Sequence, residues 1–187
     1  MTEEEQIELQ ASDAPATEDK PIINKESPLV EKMLYGTLTA EDIPDHIYKS
    51  YLRSILGCTK FSMAFSLFDN AVQIEYSEVS VENCDKYNKL VAKYSYSTYL
   101  LQKLAALVYI NKIQIQDRTP YAYPFNIPDT WMSETISESE ITKEIEAAYA
   151  NAFGFLNESI HRLLPLFWSG FNQILKQLVT KGIPTSF

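Results

Sequence analysis

Apolar residues between positions 141 and 178 recur in steps of four, four and three. Ile141, Ile145, Tyr149, Ala152, Leu156, Ile160 and Leu163 carry the rhythm, and Phe167, Phe171, Ile174 and Leu178 continue it. Eleven residues per three turns is close to the α-helical period, so one apolar seam runs nearly straight along a helix. Such a seam has to be covered by other elements. Pro165 falls inside it. A proline lacks the backbone N–H and clashes with the preceding turn, costing about 3 kcal/mol in a helix interior. The spacing therefore predicts either one long helix kinked near residues 162–164 or two nearly collinear helices. The end is expected before Gly182 and Pro184. Ser137 and Glu140 form a capping-box pair at the start.

Two more helices are expected to cover the seam. Ile47, Tyr48, Tyr51, Leu52, Ile55, Cys58, Met63 and Phe65 give an amphipathic pattern over residues 46–69. Ser80 can cap a helix over residues 81–108, with Tyr87, Val91, Tyr94, Thr98, Leu101, Ala105 and Val108 facing inward. A short turn opens at the capping-box pair Thr39 and Asp42 and is ended by Pro44, after which Asp45 can cap. Residues 72–77 and 113–116 alternate apolar and polar. They form either a minor two-stranded sheet or a frayed helix end and an extended loop.

Residues 117–137 hold three prolines, which forbid a continuous helix. They also hold Tyr121, Tyr123, Phe125 and Trp131, too apolar for a free linker, so an ordered connector with its rings packed down is expected. The charge is uneven. The chain's net charge is −9, and residues 1–27 account for −6 of it, with eight acids against Lys20 and Lys25. Residues 159–187 contain no acid and carry Arg162, Lys176 and Lys181. The first 27 residues bury too little apolar area to offset about 1–2 kcal/mol of ordering per residue and are read as a disordered acidic tail. The expectation is a mainly α protein. A single domain of residues 28–187 would be a bundle of three to five helices, with at most a minor two-stranded β element, behind that tail.

Few chemistries fit this residue set. The chain has five glycines, the closest two twelve positions apart, so no glycine-rich phosphate loop can form. Glu158 and His161 have the spacing of half a di-iron motif, but a second motif and two further carboxylates are missing, and the position three before His46 is Ile43. Cys58 and Cys84 make no Cys-x-x-Cys pair, and a zinc site needs four ligands. No catalytic, cofactor or metal residues are assigned, and no cofactor is expected. The acidity argues against nucleic acid as a partner. The longest charge-free run near the C-terminus, residues 163–175, is too short to span a membrane. Two lysines on the polar face of that helix give little support to peripheral membrane contact. The Glu-rich start has no signal-peptide pattern, and a cytoplasmic location, or a virion for a viral particle, is expected.

These features favour a non-enzymatic protein working through protein–protein contacts, as a subunit or assembly factor of a larger particle, including one made of copies of itself. Its candidate interface residues are Tyr121, Tyr123, Phe125 and Trp131 in the connector and Phe167, Trp168, Phe171 and Leu178 in the last helix. The alternatives are an acidic inhibitor that mimics nucleic acid to a basic partner, and a small enzyme with a site of unfamiliar composition.

Overall fold

Met63, Phe65 and Leu67 alternate with Ser62, Ala64 and Ser66, and that two-residue period makes a strand where a helix was expected to continue. In the computed structural model, which describes residues 20–24, 27–57, 60–122 and 125–183, strand β2 (Ser62–Leu67) turns back into β3 (Val72–Ser77). The two are antiparallel, with Phe65 opposite Ile74. The turn between them uses Asp69 and Asn70 in the left-handed region, at φ 54° and 69°. Asp and Asn tolerate that conformation because their short polar side chains bond locally, and here Ser66 Oγ bonds Asn70 Oδ1.

Strand β1 (Ile22–Asn24) runs parallel to β2, and β4 (Ile110–Ile115) and β5 (Tyr121–Ala122) extend the other edge antiparallel, giving the order β1-β2-β3-β4-β5. The helical-bundle expectation is therefore corrected. Among the described residues the fold is mixed, with a five-stranded sheet and six α-helices, and it is not all-α. The tail boundary moves as well. Residues expected in a disordered segment up to 27 include β1, held by backbone pairing to β2 and by Lys20 Nζ on the buried Glu75 carboxylate at 2.7 Å. The rest of the expected tail, residues 1–19, 25 and 26, lies outside the described residues.

The helices are α1 (Pro28–Tyr35), α2 (Asp45–Ile55), α3 (Val81–Lys93), α4 (Thr98–Tyr109), α5 (Glu138–Phe153) and α6 (Glu158–Lys181). Several starts follow from side chains named above. Ser80 Oγ accepts the Asn83 N–H, Ser137 and Glu140 bond reciprocally, and Thr39 with Asp42 closes a single 3-10 turn (Ala40–Asp42). The helix expected over residues 81–108 divides at residues 94–97, where two serines favour local bonding over helix. The seam of residues 141–178 divides as well, but at residues 154–157. Gly154 ends α5, and Asn157 Oδ1 accepts the Ile160 N–H to start α6. Pro165 sits within α6, which continues through it. Pro165 forfeits the bond to the carbonyl of His161, and one residue before the proline the Leu164 carbonyl accepts a buried bond from the Tyr76 hydroxyl at 2.9 Å.

One face of the sheet carries the core. Met63, Phe65, Ile74, Tyr76 and Ile113 pack beneath α6, with Phe65 and Phe167 stacked at 4.7 Å and Tyr76 and Phe171 at 5.8 Å. The connector lies over the domain through Asn83, whose side chain bonds Phe125 O at 3.1 Å and the Ile127 N–H at 2.8 Å. No helix among the described residues is long and apolar enough to cross a membrane.

Candidate functional site

Two concavities lie on either side of the outer ridge of α6, and Leu166 lines both. The first is an apolar groove of about 600 Å³ between α1, the β2–β3 turn and α6. Local sequence builds each wall. Ser27 and Pro28 start α1, and Gly36, at φ 66°, ends it with its N–H turned back to the last helical carbonyls. That abrupt end leaves Leu34 and Tyr35 projecting, 62% and 75% exposed. A Cβ on Gly170 would overlap the Met33 methyl, so glycine there leaves room for the end of the Met33 side chain. Gln173 Nε2 ties α6 to the Met33 carbonyl at 3.1 Å. Lys32 and Asp42 form an ion pair that anchors α1 to the following turn. Lys32, and then the Thr39 backbone N–H, hold the Asp42 carboxyl down to about 2.

The opposite wall is Phe68, 50% exposed and held at φ 50°. A bulky residue is strained in the left-handed region, and such strain collects where a side chain has work to do outside the fold. Leu166 completes the rim at 49% exposure, and Phe167 forms the floor.

The second concavity, a cleft of about 710 Å³, gathers Tyr99 and Lys103 from α4, Tyr149 from α5 and His161 and Arg162 from α6 beside an apolar lining. Lys103 Nζ lies 4.1 Å from the Tyr99 ring centroid and 5.4 Å from that of Tyr149. Tyr149 Oη and His161 Nδ1 are 2.7 Å apart. Burial first, and the neighbouring Tyr99 second, push the Tyr149 hydroxyl up to about 12. It therefore stays protonated at neutral pH, and in the tautomer where it donates to Nδ1 the ring proton sits on Nε2. Glu158 is taken by Arg162 at 2.5 Å. Among the described residues no three His, Cys, Asp or Glu side chains are gathered where they could hold a metal ion.

The residues singled out from the sequence fall elsewhere for the most part. Phe171 and Leu178 are fully buried core, Trp131 is buried with its indole N–H on Glu144, and Trp168 is half-buried and stacked on Tyr109 at 4.0 Å. Phe125 packs against Trp131 at 5.7 Å, and Tyr121 against Phe155 at 5.1 Å. Only Phe167 reaches the groove. Tyr123 and Cys58 lie outside the described residues. Cys84 is a half-buried free thiol 4.0 Å from the Tyr109 hydroxyl.

Sequence reasoning did not single out Leu34, Tyr35, Phe68 and Leu166, or Lys103 and Tyr149 as site residues. A signal existed for Leu34, Tyr35 and Phe68, since Leu-Tyr before Gly36 and Phe before Asp-Asn put large apolar residues at element ends, where burial is poorest. No family model matches the chain, and neither a curated protein nor a solved structure matches it.

Proposed function

We propose that the protein is a non-enzymatic interaction protein that receives a basic amphipathic helix of a partner protein in the groove between α1, the β2–β3 turn and α6. The observation that carries this reading is the exposure of Leu34, Tyr35, Phe68 and Leu166 around one hollow. At roughly 200 Å² for each such side chain, their exposed parts sum to on the order of 500 Å². That is near the upper end of the apolar patch a monomer leaves uncovered, and a large part of the roughly 800 Å² each partner contributes to a standard interface. A helix laying apolar residues at i, i+3 or i+4 and i+7 into a groove is a recurrent recognition mode.

The groove lining carries no charged side chain, and a basic occupant is favoured by the chain's net charge of −9, of which −6 lies in residues 1–27. That charge accelerates encounter with a basic helix and opposes approach of a second copy. The role is that of a component or assembly factor of a larger particle, in the cytoplasm or in a virion. The free thiol of Cys84 suits a reducing compartment.

Capture experiments with the tagged full chain and a Phe68→Asp/Leu166→Asp variant test the reading. The wild type is expected to retain a partner whose binding segment is a Lys- or Arg-rich amphipathic helix. The variant, folded by circular dichroism, should lose it by at least about tenfold, as expected for interface anchors. Equal retention by both proteins contradicts the groove, and retention of nothing but a second copy contradicts the basic partner.

A further inference from the structure

In the cleft on the other side of Leu166, two nitrogens have no hydrogen-bond acceptor among the described residues. Lys103 is only 15% exposed, and its ammonium has three N–H donors. Among the described residues it forms an ion pair with Glu146 Oε1 at 3.7 Å, past hydrogen-bonding distance. Its remaining neighbours are the faces of Tyr99 and Tyr149, which attract a cation but supply no lone pair of ordinary acceptor strength. The second is His161 Nε2, a donor in the tautomer whose Nδ1 accepts from the Tyr149 hydroxyl. Nε2 has no bonding partner among the described residues, and it lines the same cleft as Lys103.

We propose that this cleft binds a carboxylate carried on an apolar or aromatic stem. The oxygens meet Lys103 Nζ and His161 Nε2, and the stem lies against Tyr99, Leu164 and Pro165. Two features choose this class of anion. Glu146 pairs with Lys103, and Glu158 and Arg162 neutralise each other, so the cleft offers too little net positive charge to match a dianion such as phosphate. The lining beside the donors is apolar and aromatic, and a volume of about 710 Å³ suits a small molecule or a chain end. Partly desolvated donors meeting an ionised acceptor give short, charge-assisted bonds. The site shares only Leu166 with the groove and stands whether or not the groove has the occupant proposed for it.

The test is isothermal titration of the full chain with 3-phenylpropionate, its neutral counterpart 3-phenylpropanol, inorganic phosphate, and a short Phe-terminated peptide with a free or an amidated C-terminus. Saturable binding of 3-phenylpropionate is expected, with the alcohol weaker by about tenfold or more, as for loss of a charge-assisted bond. Phosphate should be weaker still. Lys103→Gln should lose a similar factor, and Glu146→Gln should bind the acid several-fold tighter. If the free-acid peptide exceeds 3-phenylpropionate while the amide does not, the natural carboxylate is a polypeptide end; the reverse order assigns it to a free acid. Equal affinity for acid and alcohol overturns the proposal, as does phosphate binding as tightly as the acid, or no saturable binding up to millimolar acid. Should Lys103→Gln fail to fold, the acid and alcohol arms on the wild-type chain and the sign of the Glu146→Gln effect decide the matter.

Discussion

Along α6, Phe171, Ile174 and Leu178 are fully buried beneath or beside the sheet, whereas Leu166 on the opposite flank stands half-exposed between a groove and a cleft. The same residue type, leucine, serves two purposes a few turns apart. Burial accounts for the inner flank, because each apolar side chain removed from water there contributes about 1.5–3 kcal/mol to folding. It does not account for Leu166, Leu34, Tyr35 or Phe68, which leave apolar surface in water and, in Phe68, hold strained backbone as well. The difference teaches that a seam read from periodicity locates the core, and that the exposed apolar surface proposed for docking is found among residues the seam leaves out.

The comparison can be broken at either flank, and the inner one should respond most. Phe171→Ala removes a ring stacked near Phe61 and Tyr76 and is expected to cost about 3–5 kcal/mol, read as a lower urea midpoint. Tyr76→Phe removes the hydroxyl that serves the Leu164 carbonyl beside Pro165 and should cost roughly 1 kcal/mol, or more if that carbonyl is left without water. On the outer flank, Leu166→Asp should change stability by no more than about 0.5 kcal/mol while abolishing partner capture. A cost for Leu166→Asp comparable to that of Phe171→Ala would erase the distinction between the flanks.

The smallest effect is expected at the clasp that positions α1. Asp42 is ionised with its carboxyl held at about 2 against an ordinary 3.8, because Lys32 and Thr39 favour the charged form. Its contribution is complete above 3.8 and is lost as pH falls through about 2. Asp42→Asn should flatten the stability profile across that interval in urea titrations and leave it unchanged at neutral pH apart from a constant offset. An unaltered acid slope would show that the ion pair does not hold α1 in solution.

How much of this was legible in the sequence depended on where each element finds its partners. Ser80, Ser137 with Glu140, and Thr39 with Asp42 satisfy backbone groups within three residues, so their roles could be read directly. The strand character of residues 72–77 showed in its alternation. Strand β2 was hidden because Met63 and Phe65 also continue the helical spacing that begins at Ile47. Strand β1 was hidden because three residues hold together through hydrogen bonds to β2, which no local pattern records. The break at residues 154–157 was masked by a seam that stays in phase across it. The cleft was out of reach for the same reason as β1: Lys103, Tyr149 and His161 belong to three helices and meet only when those helices pack.

The most direct measurement is site-specific photo-crosslinking from position 68, with position 89 on the exposed face of α3 as the reference. The account predicts that a photoreactive residue at 68 labels a basic amphipathic helix of one partner protein, that the same at 89 does not, and that Leu166→Asp abolishes the label. Equal labelling from both positions, or a label at 68 that survives Leu166→Asp, would contradict it.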